Sequence, residues 1–103
     1  MSDNRENTQA LSLVQALLGN ITANLRAVSF ECSVVGVVLY FLLEHESLED
    51  REEIEDTVFE FEALQPSGSK IEVIATVDPR PLPTLRNGIV LGRLVFARKE
   101  QEG

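Results

Sequence analysis

The residues best able to do chemistry crowd into one window of this 103-residue chain. Ten of its seventeen acids lie between Glu44 and Glu62, where Arg51 is the one base, and the only histidine, His45, lies there too. Carboxylates this dense could form an acid–base pair, ligate a hard cation, or present a docking surface to a cationic partner. An acid–base pair needs two carboxyls in different surroundings, one kept protonated by burial. These acids share one helix face, which offers no such contrast. A cation cage needs loop ligands wrapped around the ion, whereas Glu49/Glu53 and Glu52/Asp56 are helix pairs with only His45 nearby. No metal and no cofactor are expected, and the docking reading stands.

Other candidates for catalysis are poorer. Cys32 is the one cysteine, so no intrachain disulfide can form, and a reducing cytoplasm is the expected setting. Nothing in sequence activates its thiol, which reads as a half-buried strand residue. Ser29, Ser33, Ser47, Ser67 and Ser69 have no histidine at a recognisable spacing. Gly88, Gly92 and Gly103 do not make a phosphate loop. The chain reads as a non-enzymatic binding protein.

Charge narrows the class of partner. The chain carries −8 at pH 7, yet outside the acidic window eight bases face seven acids. One segment therefore generates the whole negative field. Such a field repels nucleic acid and anionic membranes and attracts a basic protein. The N-terminus lacks the charged-then-apolar order of a leader, and the apolar stretch 34–43 is too short to span a bilayer. A cytoplasmic domain is expected.

The elements that must position these acids follow from periodicity and breakers. Residues 1–7 read as a flexible polar tail, 8–100 as a single domain and 101–103 as a second tail. Thr8 caps a first helix whose apolar positions are Leu11, Val14, Leu17 and Leu18, and Gly19-Asn20 stops it. Residues 25–32 alternate as a strand with Val28 and Phe30 inward. After a turn near 33–36, residues 37–43 are apolar on both faces, as in a central strand covered on both sides or a strand facing a core and a partner, and pair with the preceding strand as a hairpin. Ser47 caps a second helix over 48–64, with Asp50 in capping-box position. A third strand spans 71–77. Pro79, Pro81 and Pro83 exclude sheet interior and helix from the stretch that follows. A long last strand covers 89–99, with a bulge marked by Gly92. The pattern αββαββ predicts an α+β two-layer domain, two helices packed on a four-stranded, mainly antiparallel sheet. The expected core is Val28, Phe30, Val37, Leu39, Phe41, Ile54, Val58, Phe61, Ile74 and Phe96.

On a wheel of 100° per residue, Ile54, Val58 and Phe61 form the inward arc of the second helix. Glu49, Glu52, Glu53, Asp56 and Glu60 gather opposite, flanked by Asp50, Glu55 and Glu62. The pairs Glu49–Glu53, Glu52–Asp56 and Asp56–Glu60 each cost roughly 0.2–0.5 kcal/mol. A solvated face is the plain reading of an acidic helix, and its early acids also suit the helix dipole. The missing counter-charges argue for a face that meets a basic partner instead.

The chain also resembles small acidic bacterial immunity proteins, partners of secreted or contact-delivered toxins. The likeness lies in the opening helix with Leu25-Arg26-Ala27-Val28, in Leu39-Tyr40-Phe41 and in Glu44-His45-Glu46-Ser47. It extends through Glu49-Asp50, Glu53, Glu60-Phe61 and Asp78-Pro79 to the ending from Val95 to Glu100. The resemblance implies a one-to-one complex that inhibits a cognate toxin, often a basic nuclease, with Glu46, Glu49, Asp50, Glu53 and Glu60 at the matching positions. Together with Glu52 and Asp56 from the wheel, these form the expected partner-binding face of a monomer or weak homodimer. The competing reading is a homo-oligomeric module assembled through its sheet, and a third is a small enzyme or carrier with a pocket between helices and sheet.

Overall fold

The computed structural model describes residues 2–80 and 92–99, with side chains from Arg5 onward. The elements run α1 (Ser2–Leu17), β1 (Leu25–Cys32), β2 (Gly36–Leu43), α2 (Leu48–Ala63), β3 (Lys70–Val77) and β4 (Arg93–Ala97), which is the expected αββαββ order. The four strands form one sheet in the order β3-β2-β1-β4. β1 pairs antiparallel with β2, Phe30 opposite Leu39, and antiparallel with β4, Val28 opposite Phe96. β2 and β3 are parallel, in register from Gly36–Lys70 to Leu43–Val77. A parallel neighbour needs a crossover, and α2 supplies it. The sheet is therefore mixed and mostly antiparallel.

Local chemistry sets most of the boundaries. Gly19 adopts φ +86°, a left-handed stop that a side chain disfavours, and Asn20 Nδ2 caps the Ala16 carbonyl at 3.0 Å. The β1–β2 turn is closed by Ser33 N donating to the Gly36 carbonyl at 2.8 Å. Ser47 Oγ accepts from Asp50 N at 3.2 Å, capping α2 as the sequence predicts. At the far end Leu64 N returns to the Phe61 carbonyl just before Pro66.

The core lies between the helices and the sheet. It joins Leu13 and Leu17 of α1, Val28 and Phe30 of β1, Val37, Leu39 and Phe41 of β2, and Ile54 and Phe61 of α2. Val58 and Phe96 are half-buried against it. β2 is central and largely buried, as its two apolar faces require.

Four expectations need correction. α1 starts at Ser2, so residues 2–7, expected ahead of the helix, form its first turns. Arg5 Nη2 donates to the Gly36 carbonyl at 3.2 Å, and Arg93 Nη1 to Asn7 Oδ1 at 2.7 Å. These contacts hold turns that local capping signals alone would not place. Secondly, α1 buries Ala10, Leu13, Ala16 and Leu17, whereas Leu11, Val14 and Leu18 are exposed. Thirdly, Ile74 is exposed, because period two sends Ile71, Ala75 and Val77 of β3 to the core instead. Lastly, β4 ends at Ala97, short of the expected Lys99, and its pairing irregularity lies between Val28 and Ser29, opposite Phe96 and Leu94. Positions 89–91 of the expected last strand, and Pro81 and Pro83, lie outside the described residues.

β1 is buried on both faces, down to Arg26, Ala27 and Ser29. A pairing irregularity between Leu25 and Ala27 sets Arg26 out of the regular alternation. Its guanidinium Nη1 donates to the carbonyls of Asp78, at 2.7 Å, and Arg80, at 2.6 Å. These bonds offset the cost of burying its charge.

Candidate interaction surface

α2 is seated by Ile54, Thr57 and Phe61, all buried. The inward arc is centred on Phe61 and Ile54, with Thr57 at one margin and the half-buried Val58 at the other. Thr57 Oγ1 donates to the Glu53 carbonyl at 2.9 Å, so the buried hydroxyl is satisfied within the helix. With that arc fixed against the core, the opposite arc must face solvent. Glu49, Glu52, Glu55, Asp56, Glu60 and Glu62 are exposed there.

The predicted site residues divide into two groups. Glu49, Glu52, Asp56 and Glu60 stand on the open face, and among the described residues none is in an ion pair. Glu46, Asp50 and Glu53 are more engaged. Glu46 sits on the loop before α2 and accepts two bonds from Arg51, from Nε at 2.8 Å and Nη2 at 2.7 Å. That guanidinium holds the Glu46 carboxyl below its ordinary pKa. Asp50 accepts from Asn24 Nδ2 at 2.8 Å. Burial works to raise its pKa, but hydrogen bonds from Thr22, Asn24 and Ser47 outweigh it and the net shift is downward. Glu53 is half-buried, beside the gap where the helices meet the sheet. Ahead of the helix, Glu44 pairs with Arg98 Nη1 at 2.9 Å. The window's few local counter-charges are thus used at its N-terminal end, leaving the middle and C-terminal turns of α2 bare.

One residue of this face escaped the sequence reading. Phe59 is 73% exposed, flanked on the helix by Glu55, Asp56 and Glu62. Leu48 is exposed at the start of the same face. The signal was available: on the wheel Phe59 falls beside Glu52 and Glu55, far from Ile54 and Phe61. An aromatic ring held in water among carboxylates is an unusual use of an expensive surface.

The rest of the molecule offers poorer chemistry. Cys32 is half-buried at the end of β1. Burial raises its pKa, with Arg5 opposing and Glu6 reinforcing the shift, so the thiol is in its unreactive protonated form. The gap lined by Leu17, Leu25, Phe41, Leu43, Ile54 and Thr57 measures about 10 Å³, room for one water at most. Among the described residues no three His, Cys, Asp or Glu side chains converge as a metal site, and no helix is long and apolar enough to cross a membrane.

No curated protein matches the chain. A family model does, from the second turn of α1 to just past β4. Over residues 6–100 the match is to the family described as MafI2 immunity protein, and the chain belongs to that family.

Proposed function

We propose that the chain neutralises a basic cognate toxin, without catalysing any reaction, by docking the open face of α2 onto it. Membership in an immunity protein family supports the inhibitory role. The observation that carries the docking face is the run Glu49, Glu52, Asp56 and Glu60, exposed and free of ion pairs among the described residues. Like charges one turn apart destabilise the free helix. A base-rich surface turns that repulsion into attraction, and the field steers encounter. Where the toxin is a nuclease, the carboxylates stand in for the phosphates of its substrate and close a cationic cleft. Glu46, Asp50 and Glu53 contribute through their position, holding the first turns of the helix in place and adding to its field.

The experiment is stopped-flow association of the chain with its cognate toxin domain at about 50 mM and about 300 mM salt. Wild type is compared with the triple variant Glu52→Lys, Asp56→Lys, Glu60→Lys. Circular dichroism should show an intact fold, since all three side chains are exposed. The expected result is association slowed at least tenfold at low salt, with its salt dependence flattened. Unchanged rates in the variant would remove α2 from the interface.

A further inference from the structure

The two edges of the sheet are not alike. β4 is five residues long, and its pairing with β1 slips between Val28 and Ser29. A short, irregular strand is a poor template for a further one. β3 is eight residues long, keeps an unbroken register on β2 and contains no proline. Its two charges, Lys70 and Glu72, lie at its start and cancel. From Val73 to Val77 it is uncharged, and Val73 and Ile74 are 38% and 40% exposed. Alternate backbone groups of β3 pair with β2, and the others point outward, with no partner strand among the described residues. Beyond Lys70, none of the devices that blunt an edge is present.

α2 overhangs that edge. α1 packs on α2 and on β4, which leaves α2 over β2 and β3, the two strands it connects. Around the helix from the buried Ile54 and Phe61, Asp50, Glu53 and Thr57 turn towards α1 and line a gap with Leu17. Glu55, Phe59 and Glu62 turn the other way, past the half-buried Val58 and out over β3, and all three are exposed. Arg51, the one base on this flank, is taken up by Glu46. Ile71, Ala75 and Val77 pack against the core, so Val73 stands on their side of the sheet, facing the helix layer. Its exposure leaves the corner between β3 and the flank of α2 open.

We infer that this corner receives an extended edge strand of a basic protein, which continues the sheet beyond β3. The backbone of that strand pairs with β3, and an apolar side chain covers Val73. Basic side chains on the same side meet Glu55, Glu62 and the ring of Phe59. Charge selects this occupant over a second copy. Two β3 edges joined about a two-fold axis would keep both helices on one side of the sheet, with Glu55 and Glu62 of each turned towards the other. A base-rich partner meets attraction at the same place. The identity of the partner as the cognate toxin rests on the proposed function, whereas the use of the strand edge stands on β3 itself.

The test is hydrogen exchange of the chain, free and bound to its cognate toxin domain, read amide by amide along β3. In the free chain alternate β3 amides should exchange fast, and in the complex the same amides should slow at least tenfold. Surface plasmon resonance then compares wild type with Val73→Ser combined with Ile74→Ser. Both side chains are exposed, so the circular dichroism spectrum should be unchanged. Dissociation of the double variant is expected to be at least tenfold faster, at about 50 mM and about 300 mM salt alike. Outward amides that exchange as fast in the complex as in the free chain overturn the inference. If charge reversal on α2 still slows association in that case, the acidic face stands without the edge. Amides slowed in the complex while charge reversal on α2 has no effect keep the strand addition and remove the acidic face. Amides protected in the free chain at high concentration, and released on dilution, give the edge to a second copy and overturn the inference. So does a double variant that dissociates like wild type.

Discussion

Asn24 Nδ2 donates to Asp50 Oδ2 at 2.8 Å, tying the turn before β1 to the first turn of α2. The same amide group donates to the His45 carbonyl and, through Oδ1, accepts from His45 N, both at 2.8 Å. One short side chain therefore fixes the loop 44–46 and the start of the acidic helix together. Asn24→Ala should lower stability by about 1–2 kcal/mol, the net worth of three partly exposed hydrogen bonds. Urea melts read this directly. A loss below about 0.3 kcal/mol would mean that water replaces the amide at no cost.

Low pH should unfold the domain through a small set of engaged carboxylates. Arg80 pairs with Asp78 through its guanidinium and its backbone N–H, and brings the carboxyl from 3.8 to about 2. Asp50 and Glu46 are shifted in the same direction. A folded-state pKa below the unfolded one means that the unfolded chain binds more protons in the interval between them. The contribution to stability is then complete above about pH 5 and declines as pH falls from about 4 towards 2. Asp78→Asn should flatten that slope without changing it above pH 5. Thermal melts at half-unit pH steps would check it, and an identical slope in the variant would rule out the pair as a source.

Phe61 is wholly buried beneath α2. Phe61→Ala should cost about 3–5 kcal/mol, a large share of the stability of a domain this size. A loss under about 1 kcal/mol in denaturant melts would mean that the helix is not held by this side chain.

Gly36 faces Lys70 across the parallel β2–β3 pairing, and a Cβ there would stand 1.9 Å from the Lys70 carbonyl oxygen. No rotamer relieves a backbone clash. Gly36→Ala should destabilise by about 1–3 kcal/mol and open β3 at that end. Hydrogen exchange should report faster exchange of the Ile71 and Val73 amides, with β1–β4 amides little changed. Uniform protection across β3 would show that the two strands can part without loss.

Much of this molecule was legible because it depends on short-range chemistry. Gly19 and Ser47 act within a turn of where they stand, and the two apolar faces of residues 37–43 announce a central strand. The β2–β3 pairing was not legible as parallel, since it depends on α2 crossing over. α1 misled for a definite reason: it carries two apolar arcs, and periodicity cannot say which meets the sheet. Leu13 and Leu17, with small Ala10 and Ala16 beside them, win the close contact. Arg26 was hidden because the carbonyls of Asp78 and Arg80 that satisfy it are far away in sequence. The charge of the acidic face could be counted from the residues alone. What counting missed was Phe59.

Phe59 leads to the sharpest separation between steering and affinity. Charged rims govern the rate of encounter, while desolvated aromatic anchors govern how long a complex lasts. Phe59 offers its ring among Glu55, Asp56 and Glu62. An arginine of a basic toxin could stack on it while pairing with a neighbouring carboxylate. Phe59→Ala should leave stability within about 0.5 kcal/mol, since the side chain packs on little and alanine favours a helix. The same change should weaken toxin binding by about 2 kcal/mol or more, chiefly through faster dissociation, with association nearly unaltered. Phe59→Tyr, which keeps the ring, should retain most of the affinity. Surface plasmon resonance with the cognate toxin domain separates the two rates. A dissociation rate unmoved by Phe59→Ala, in a complex that still responds to charge reversal on α2, would leave the acids as the whole interface and the ring outside it.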